Sequence, residues 1–438
     1  MATTQSKKTG AHAQTTHQQS RQTQHVRQPT SQPMMQPTQP VAEQQTPSLP
    51  AQSQAQPIQQ TTPQVVTEPP AIEHAAIHLY QLYDVSDSID LDRARATLAT
   101  PTERVRPVVT RGASIDIAQL PLETSLGEVE FELCGQTLIG SLYGRIYDLG
   151  ILALRLVVVL KEEMTWEDAI TMLSEAQADP PAVMKAFARG MSLLSKTLGD
   201  AIIRPNKTIR TEDYIIFVVE RMAPGGVPAS QLARHPTLLR AALGERRQLS
   251  ASVASLATPL SYYEDDLILL TWSSAVVIEP DKAARDDTTL LLEFANAQLL
   301  AFRSYDAEVE REMAHITPRI GRLGRRGRWI IFGSTRRFLF EIHALIADIT
   351  DSSGRVENAL KVTEDVYWNR VYTAALNVLR VEVWRTGVAE TLEALNQTAS
   401  LLHDEEQAAR SNLMEILVIV LIAIELIVAV IGLFPGRH

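Results

Sequence analysis

The sequence predicts an α+β N-terminal domain, then an all-α helical stalk, then one C-terminal transmembrane helix. Three observations predict it. Short β-type runs cluster between positions 71 and 280 instead of alternating regularly with helices, which favours a mostly antiparallel sheet. From Asp286 onward the pattern turns helical and no convincing strand follows. Residues 416–434 read ILVIVLIAIELIVAVIGLF, with Glu425 the only charged side chain. At about 1.5 Å rise per residue such a run covers roughly 28 Å, close to the hydrocarbon thickness of a bilayer. A fully buried core helix is the alternative, but a run of this length with one charge exceeds the usual core helix.

The chain has 438 residues, 45% of them hydrophobic, enough for one or two cores. Its formal net charge of −10 makes any polyanion binding a local property. A single cysteine, Cys134, excludes an internal disulfide and a cysteine-rich zinc site. Neither an apolar secretory signal nor an Arg-rich transit pattern is visible at the N-terminus, so a tail-anchored arrangement with the bulk on the cytoplasmic side is expected. The flanking charges lean the other way: Asp404, Glu405, Glu406 and Glu415 outweigh Arg410 before the span, and Arg437 follows it.

Residues 1–70 form a Gln/Thr/Pro-rich tail without aromatics, and disorder is expected because too little apolar surface is present to offset ordering entropy. The α+β domain is expected at 71–280. A strand at 76–85 leads to a short helix, capped by Ser88 or Asp90, that runs to Leu98. Gly127 suits a turn before the alternating strand EVEFEL at 128–133. Further strands are expected at 137–146 and 151–160. Thr165 caps a helix with Glu167 and Asp168 in its first turn, and Pro181 opens a longer helix to Leu198. A buried strand at 214–219, helical pieces over 229–243 and two strands around Trp272 and Ser273 complete the domain.

A helical and coiled-coil region is expected at 281–412, and the transmembrane helix at 413–434. One long helix should run from 288 to about 315, then a Gly- and Arg-rich break over 318–327. Helices should follow from Trp329 to a turn at 351–354, from 356 to 379, and from about Glu382 without interruption into the span. The last helix carries a heptad. Leu392, Ala399, Glu406 and Leu413 form one column; Val388, Leu395, Leu402, Ala409 and Ile416 form the other. This pattern fits a self-association seam through Val388, Leu392, Leu395 and Leu402, and fits equally a face packed on the chain's own neighbouring helices.

Catalytic chemistry is not expected. No Walker loop, GxSxG elbow, HExxH or CxxC occurs, and the reading is of a non-enzyme with no catalytic residue, cofactor or metal. Glu264, Asp265 and Asp266 suit a solvated turn, with a divalent cation as the alternative. One basic cluster stands out: Arg319, Arg322, Arg325, Arg326, Arg328, Arg336 and Arg337, with no carboxylate among them and Trp329 alongside. Three readings stay open for it: anionic lipid headgroups, RNA or ribosome contact, and pairing with acidic neighbouring helices.

The stretches YYEDDLILLTWSSAVV (262–277), LEFANAQLLAFRSYD (292–306) and the C-terminal run over 367–433 resemble the "required for meiotic nuclear division" family. The most specific part is Leu413 and Glu415 ahead of an apolar span holding Glu425. The resemblance covers about 71–434. It implies a membrane-anchored, non-enzymatic protein whose eukaryotic members sit at the mitochondrial inner membrane and support mitochondrial translation. The N-terminus here departs from those members, which favours a prokaryotic plasma membrane over the mitochondrial inner membrane.

Together these readings lead to an expected function. The chain is a membrane-anchored, homo-oligomeric scaffold or tether in the lipid bilayer, presenting a cytosolic α+β domain. Glu415 and Glu425 make span contacts, and the Arg cluster meets a polyanionic partner. The alternative is an oligomeric membrane channel with Glu425 lining the pore.

Overall fold

The computed structural model describes residues 68–98, 102–107, 114–160, 163–323, 332–363 and 366–433. The expected tail lies outside them except for its last three residues. A nine-stranded sheet with order β2-β4-β5-β6-β1-β7-β10-β9-β8 forms the body. Its strands are β1 (Ile72–Ile89), β2 (Thr102–Arg104), β4 (Leu122–Leu133), β5 (Gln136–Ile146), β6 (Ile151–Leu160), β7 (Ile202–Met222), β8 (Thr258–Leu260), β9 (Leu267–Leu270) and β10 (Ser274–Ile278). Every neighbouring pair is antiparallel except β10 on β7, so the expected mostly antiparallel sheet is present.

β1 sits in the middle because both of its faces are apolar. Ile77 and Leu79 enter one core; Ala76, Tyr80 and Leu82 enter the other. The first core is closed by α2 (Trp166–Ala176), α3 (Pro181–Leu198) and α4 (Pro236–Leu243). α2 starts where the sequence places it: the Thr165 hydroxyl accepts from the Asp168 backbone N–H, and the Asp168 carboxylate accepts in return from the Thr165 N–H. α1 (Leu91–Thr97) is capped by Asp90, whose carboxylate accepts from Asp92 and Arg93 N–H. The second face is covered by α5 (Lys282–Leu323), on which α6 (Phe332–Asn358), α7 (Val366–Val378) and α8 (Val381–Leu433) pack. A sheet domain at 72–278, a helical region and a final apolar helix are thus the architecture of the chain.

Several local expectations change. β1 and β7 are longer than their apolar centres, because a ribbon of their polar ends pairs Ser86 with Pro205 and Ser88 with Ile203. Gly127 is a bulge inside β4, with φ 98°, and not the turn before it. Pro318 lies within α5, which continues to Leu323 past the expected break. The expected turn at 351–354 is helical: buried Ser352 and Val356 hold that stretch to the core, and the Asn358 side chain donates to the Gly354 carbonyl at 2.7 Å. A strand also follows Asp286, contrary to expectation. β11 (Leu360–Thr363) pairs with β3 (Ser114–Ile117), more than two hundred residues away, so it interrupts the helix expected over 356–379. Four residues whose one partner strand is also four residues long carry too little pattern to be seen from sequence.

α5 is joined to the sheet by a buried ionic network. Arg145 on β5 donates to Glu123 on β4 and, at 2.6 Å, to Glu293 on α5. Arg155 on β6 donates to the same Glu123 oxygen at 2.9 Å, and the Tyr147 hydroxyl donates to Glu293 at 2.7 Å. Two guanidinium groups thus face two carboxylates. Burial would push the Arg145 guanidinium down, but Glu293, Tyr147 and Glu123 more than reverse it. His78 on the same face is pushed down to about 3, by burial first and then by Arg155 and Arg145, so it stays neutral. Glu293→Ala is expected to cost about 3–5 kcal/mol by leaving Arg145 short of a buried partner. Urea unfolding of the full chain in detergent would measure it, with the Arg145→Met/Glu293→Met pair losing less than the single change.

Candidate functional site

α8 begins after Arg380, whose φ of 54° turns the chain out of α7, and runs for 53 residues without interruption. Its first half is a core element. Val388, Leu392, Leu395 and Ala399 are buried and Leu402 is half-buried, in the same cluster as Phe302 of α5 and Ile349 of α6. The heptad face is therefore filled by the chain's own helices. Of the two readings of this heptad, the burial of Val388, Leu392 and Leu395 and the half-burial of Leu402 fit packing on the chain's own neighbouring helices.

Beyond that half the burial ends. Over 410–429 no residue is buried, and this is the one helix among the described residues long and apolar enough to cross a membrane. Leu417, Ile419, Leu421, Ile424 and Ile427 are each about half exposed or more. Glu415 and Glu425 both stand on this uncovered stretch.

The helices beside α8 fix which end of the body the apolar stretch leaves from. α6 is antiparallel to α8. Arg385 pairs with Glu357 at 3.4 Å, and a groove of about 460 Å³ is lined by Ile346, Thr350 and Gly354 from α6 and by Val388, Leu392 and Asn396 from α8. α5 runs parallel to α8, with the Arg303 guanidinium 5.7 Å from the Trp384 ring centre. The end of α5 and the start of α6 therefore lie beside the turns of α8 that precede residue 410. Arg336 and Arg337 are exposed in the first turns of α6. Arg319 and Arg322 belong to the last turns of α5, with side chains outside the described residues; Arg325, Arg326 and Arg328 lie outside them altogether.

Sequence reading missed a polar cleft of about 240 Å³ where the β1–β7 ribbon meets α5 and α6. Asp84, Asp87, Arg204, Asn206, Ser304 and Glu308 are among its lining residues. The Asn206 amide donates to the Asp84 carboxylate at 2.7 Å, and Arg204, at φ 52°, bridges Asp87 at 2.5 Å and Asp348 at 2.7 Å. Burial pushes the Asp84 carboxyl up to about 7, Ser304 opposes this, and Glu308 and Asp87 add to it. Asp84 can therefore hold a proton near neutral pH. The only signal in the sequence is a run of polar residues inside strand ends, which reads equally as a loop. The acidic triplet is a structural turn: Asp266 is buried and accepts from the Tyr262 and Tyr263 N–H groups at 2.7 and 3.2 Å. Among the described residues no group of His, Cys, Asp and Glu has the geometry of a metal site.

The cleft sets a pH dependence. A carboxyl whose pKa is raised on folding binds a proton in the folded state that the unfolded chain has released, so stability falls as pH rises from about 4 to about 7. Asp87 and Glu308, also raised, act with the same sign. Asp84→Asn should flatten this slope and stabilise the protein at pH 8 by on the order of 2–4 kcal/mol. Thermal melts of both proteins across pH 4 to 8 would check it, an unchanged slope counting against Asp84 as the group responsible.

Residues 74–284 match the family described as "Uncharacterized protein MJ0711, N-terminal domain". The match covers just under half of the chain and coincides with the sheet domain, from the start of β1 to the first turn of α5. It does not concern the "required for meiotic nuclear division" family. No curated protein and no solved structure matches the chain.

Proposed function

We propose that this protein is a membrane-anchored scaffold or tether. The single observation that supports it is α8, one helix that leaves a packed core and continues into an uncovered apolar stretch at 410–429. A twenty-residue stretch that is mostly aliphatic and nowhere buried is too large an apolar surface for a helix in water, and its length matches the hydrocarbon thickness of a bilayer. The sheet domain is then displayed at a distance set by rigid helices, with no flexible linker between body and span.

Self-association belongs to the span and not to the heptad face. An ionised carboxylate in the middle of a bilayer costs at least about 2.5 kcal/mol, so Glu425 is turned toward a second span and protonated or hydrogen-bonded there. Two results test the proposal. After lysis and ultracentrifugation without detergent the full chain is expected in the membrane pellet; recovery in the supernatant sinks the anchor. In detergent, Glu425→Leu and Glu425→Gln are expected to lower the assembly state seen by size-exclusion with light scattering, and unchanged assembly in both removes Glu425 from the interface. A channel would instead show conductance in planar bilayers that Glu425→Ala abolishes.

A further inference from the structure

We propose that the first turns of α6 are a second membrane contact, in which Arg336 and Arg337 bind anionic lipid headgroups of the leaflet that α8 enters. The inference rests on the anchoring reading and names the partner of the basic cluster. Its first support is position. Ile346 and Asn396 line the same groove between antiparallel helices. Ten residues along each helix from that level, on the way to the span, lead to Arg336 and to position 406, a distance of about 15 Å at the rise of a helix. Position 406 stands seven residues before Leu413, or about 10 Å, and the headgroup layer occupies roughly 5–8 Å on each side of the hydrocarbon. A long arginine stem on α6 spans the remainder.

The second support is that no acid among the described residues takes up these two guanidinium groups. Two other arginines on these helices have acids: Arg355 meets Asp351 at 3.6 Å and Arg385 meets Glu357 at 3.4 Å. Arg336 and Arg337 are exposed and pair with no carboxylate among the described residues. For Arg336 and Arg337 this weighs against the reading in which they serve neighbouring acidic helices. The third support is Phe340, one turn after Arg336 and 74% exposed, the most exposed large hydrophobic side chain among the described residues. An aromatic ring beside cations suits the boundary between water and lipid. Glu341 and His343 share that side of α6, so attraction is concentrated in its first turns. A chain of net charge −10 is repelled as a whole by an anionic surface, and a local cationic end decides which part of it approaches. Arginine's planar fork matches phosphate oxygens in pairs.

The test uses the full chain reconstituted into vesicles of phosphatidylcholine alone or mixed with phosphatidylglycerol. Flotation establishes insertion. Spin-labelled phosphatidylglycerol and phosphatidylcholine then report which lipid the protein restricts. The expected result is a preference for phosphatidylglycerol that high salt reduces, and that Arg336→Gln/Arg337→Gln lowers by about fivefold for each arginine removed. Arg189→Gln, an exposed change on α3, should leave the preference intact. A chain that floats but shows no preference, or a preference unchanged in the double variant, overturns this proposal and leaves the anchor standing. A double variant that keeps its lipid preference and loses binding to a single-stranded RNA probe overturns it in favour of nucleic acid. Failure to float with either vesicle overturns the anchoring reading and this one with it.

Discussion

Everything on the far side of the sheet depends on how α5 is seated. Glu293 is buried under the helix and meets Arg145 and Tyr147 of the sheet, while Glu123 balances Arg145 and Arg155 from the neighbouring strand. Buried ion pairs contribute little net stability, since the attraction mostly offsets desolvation. They do penalise every other arrangement, because a helix shifted by one turn would leave a charge buried alone. The network therefore sets position more than it adds strength. Apolar packing supplies the strength: Leu291, Phe294, Ala295 and Phe302 of α5 are all nearly inaccessible.

Once α5 is seated, the other helices have a reference. The Gln298 amide donates to the Val356 carbonyl of α6 at 2.8 Å, and the Tyr372 hydroxyl of α7 donates to the Gln298 oxygen at 2.6 Å. One buried side chain on α5 thus ties down two neighbours. α8 then packs along α5 and α6, and its direction carries the orientation of the whole body into 410–429. A helix without a break transmits that orientation rigidly, so the sheet, the polar cleft and the basic helix end hold fixed places relative to the apolar stretch at 410–429.

The helical and strand content was largely readable. β6, α2 and α3 begin and end where apolar alternation, the Thr165 cap and Pro181 put them, since these signals act within one turn of chain. The missed pieces share a cause. β11 exists only because β3 offers an edge to it, and the polar ends of β1 and β7 are strands only because each has the other. The cleft around Asp84 was invisible for the same reason, as its residues come from positions 84, 204, 304 and 348 and no local pattern links them.

The amino-acid sequence by itself determined the apolar end, the clustered strands, the helical second half and a heptad on the last helix. All are periodicities of composition along one segment, and such periodicities need no partner to be read. Tertiary structure alone decided which partner each surface has. A column of Val388, Leu392 and Leu395 looks identical whether it faces a second chain or α5 and α6, because burial is a property of the neighbour and not of the residue. The placement of Arg336 and Arg337 on the side of the body from which the apolar stretch of α8 leaves was decided in the same way, by the antiparallel course of α6 along α8.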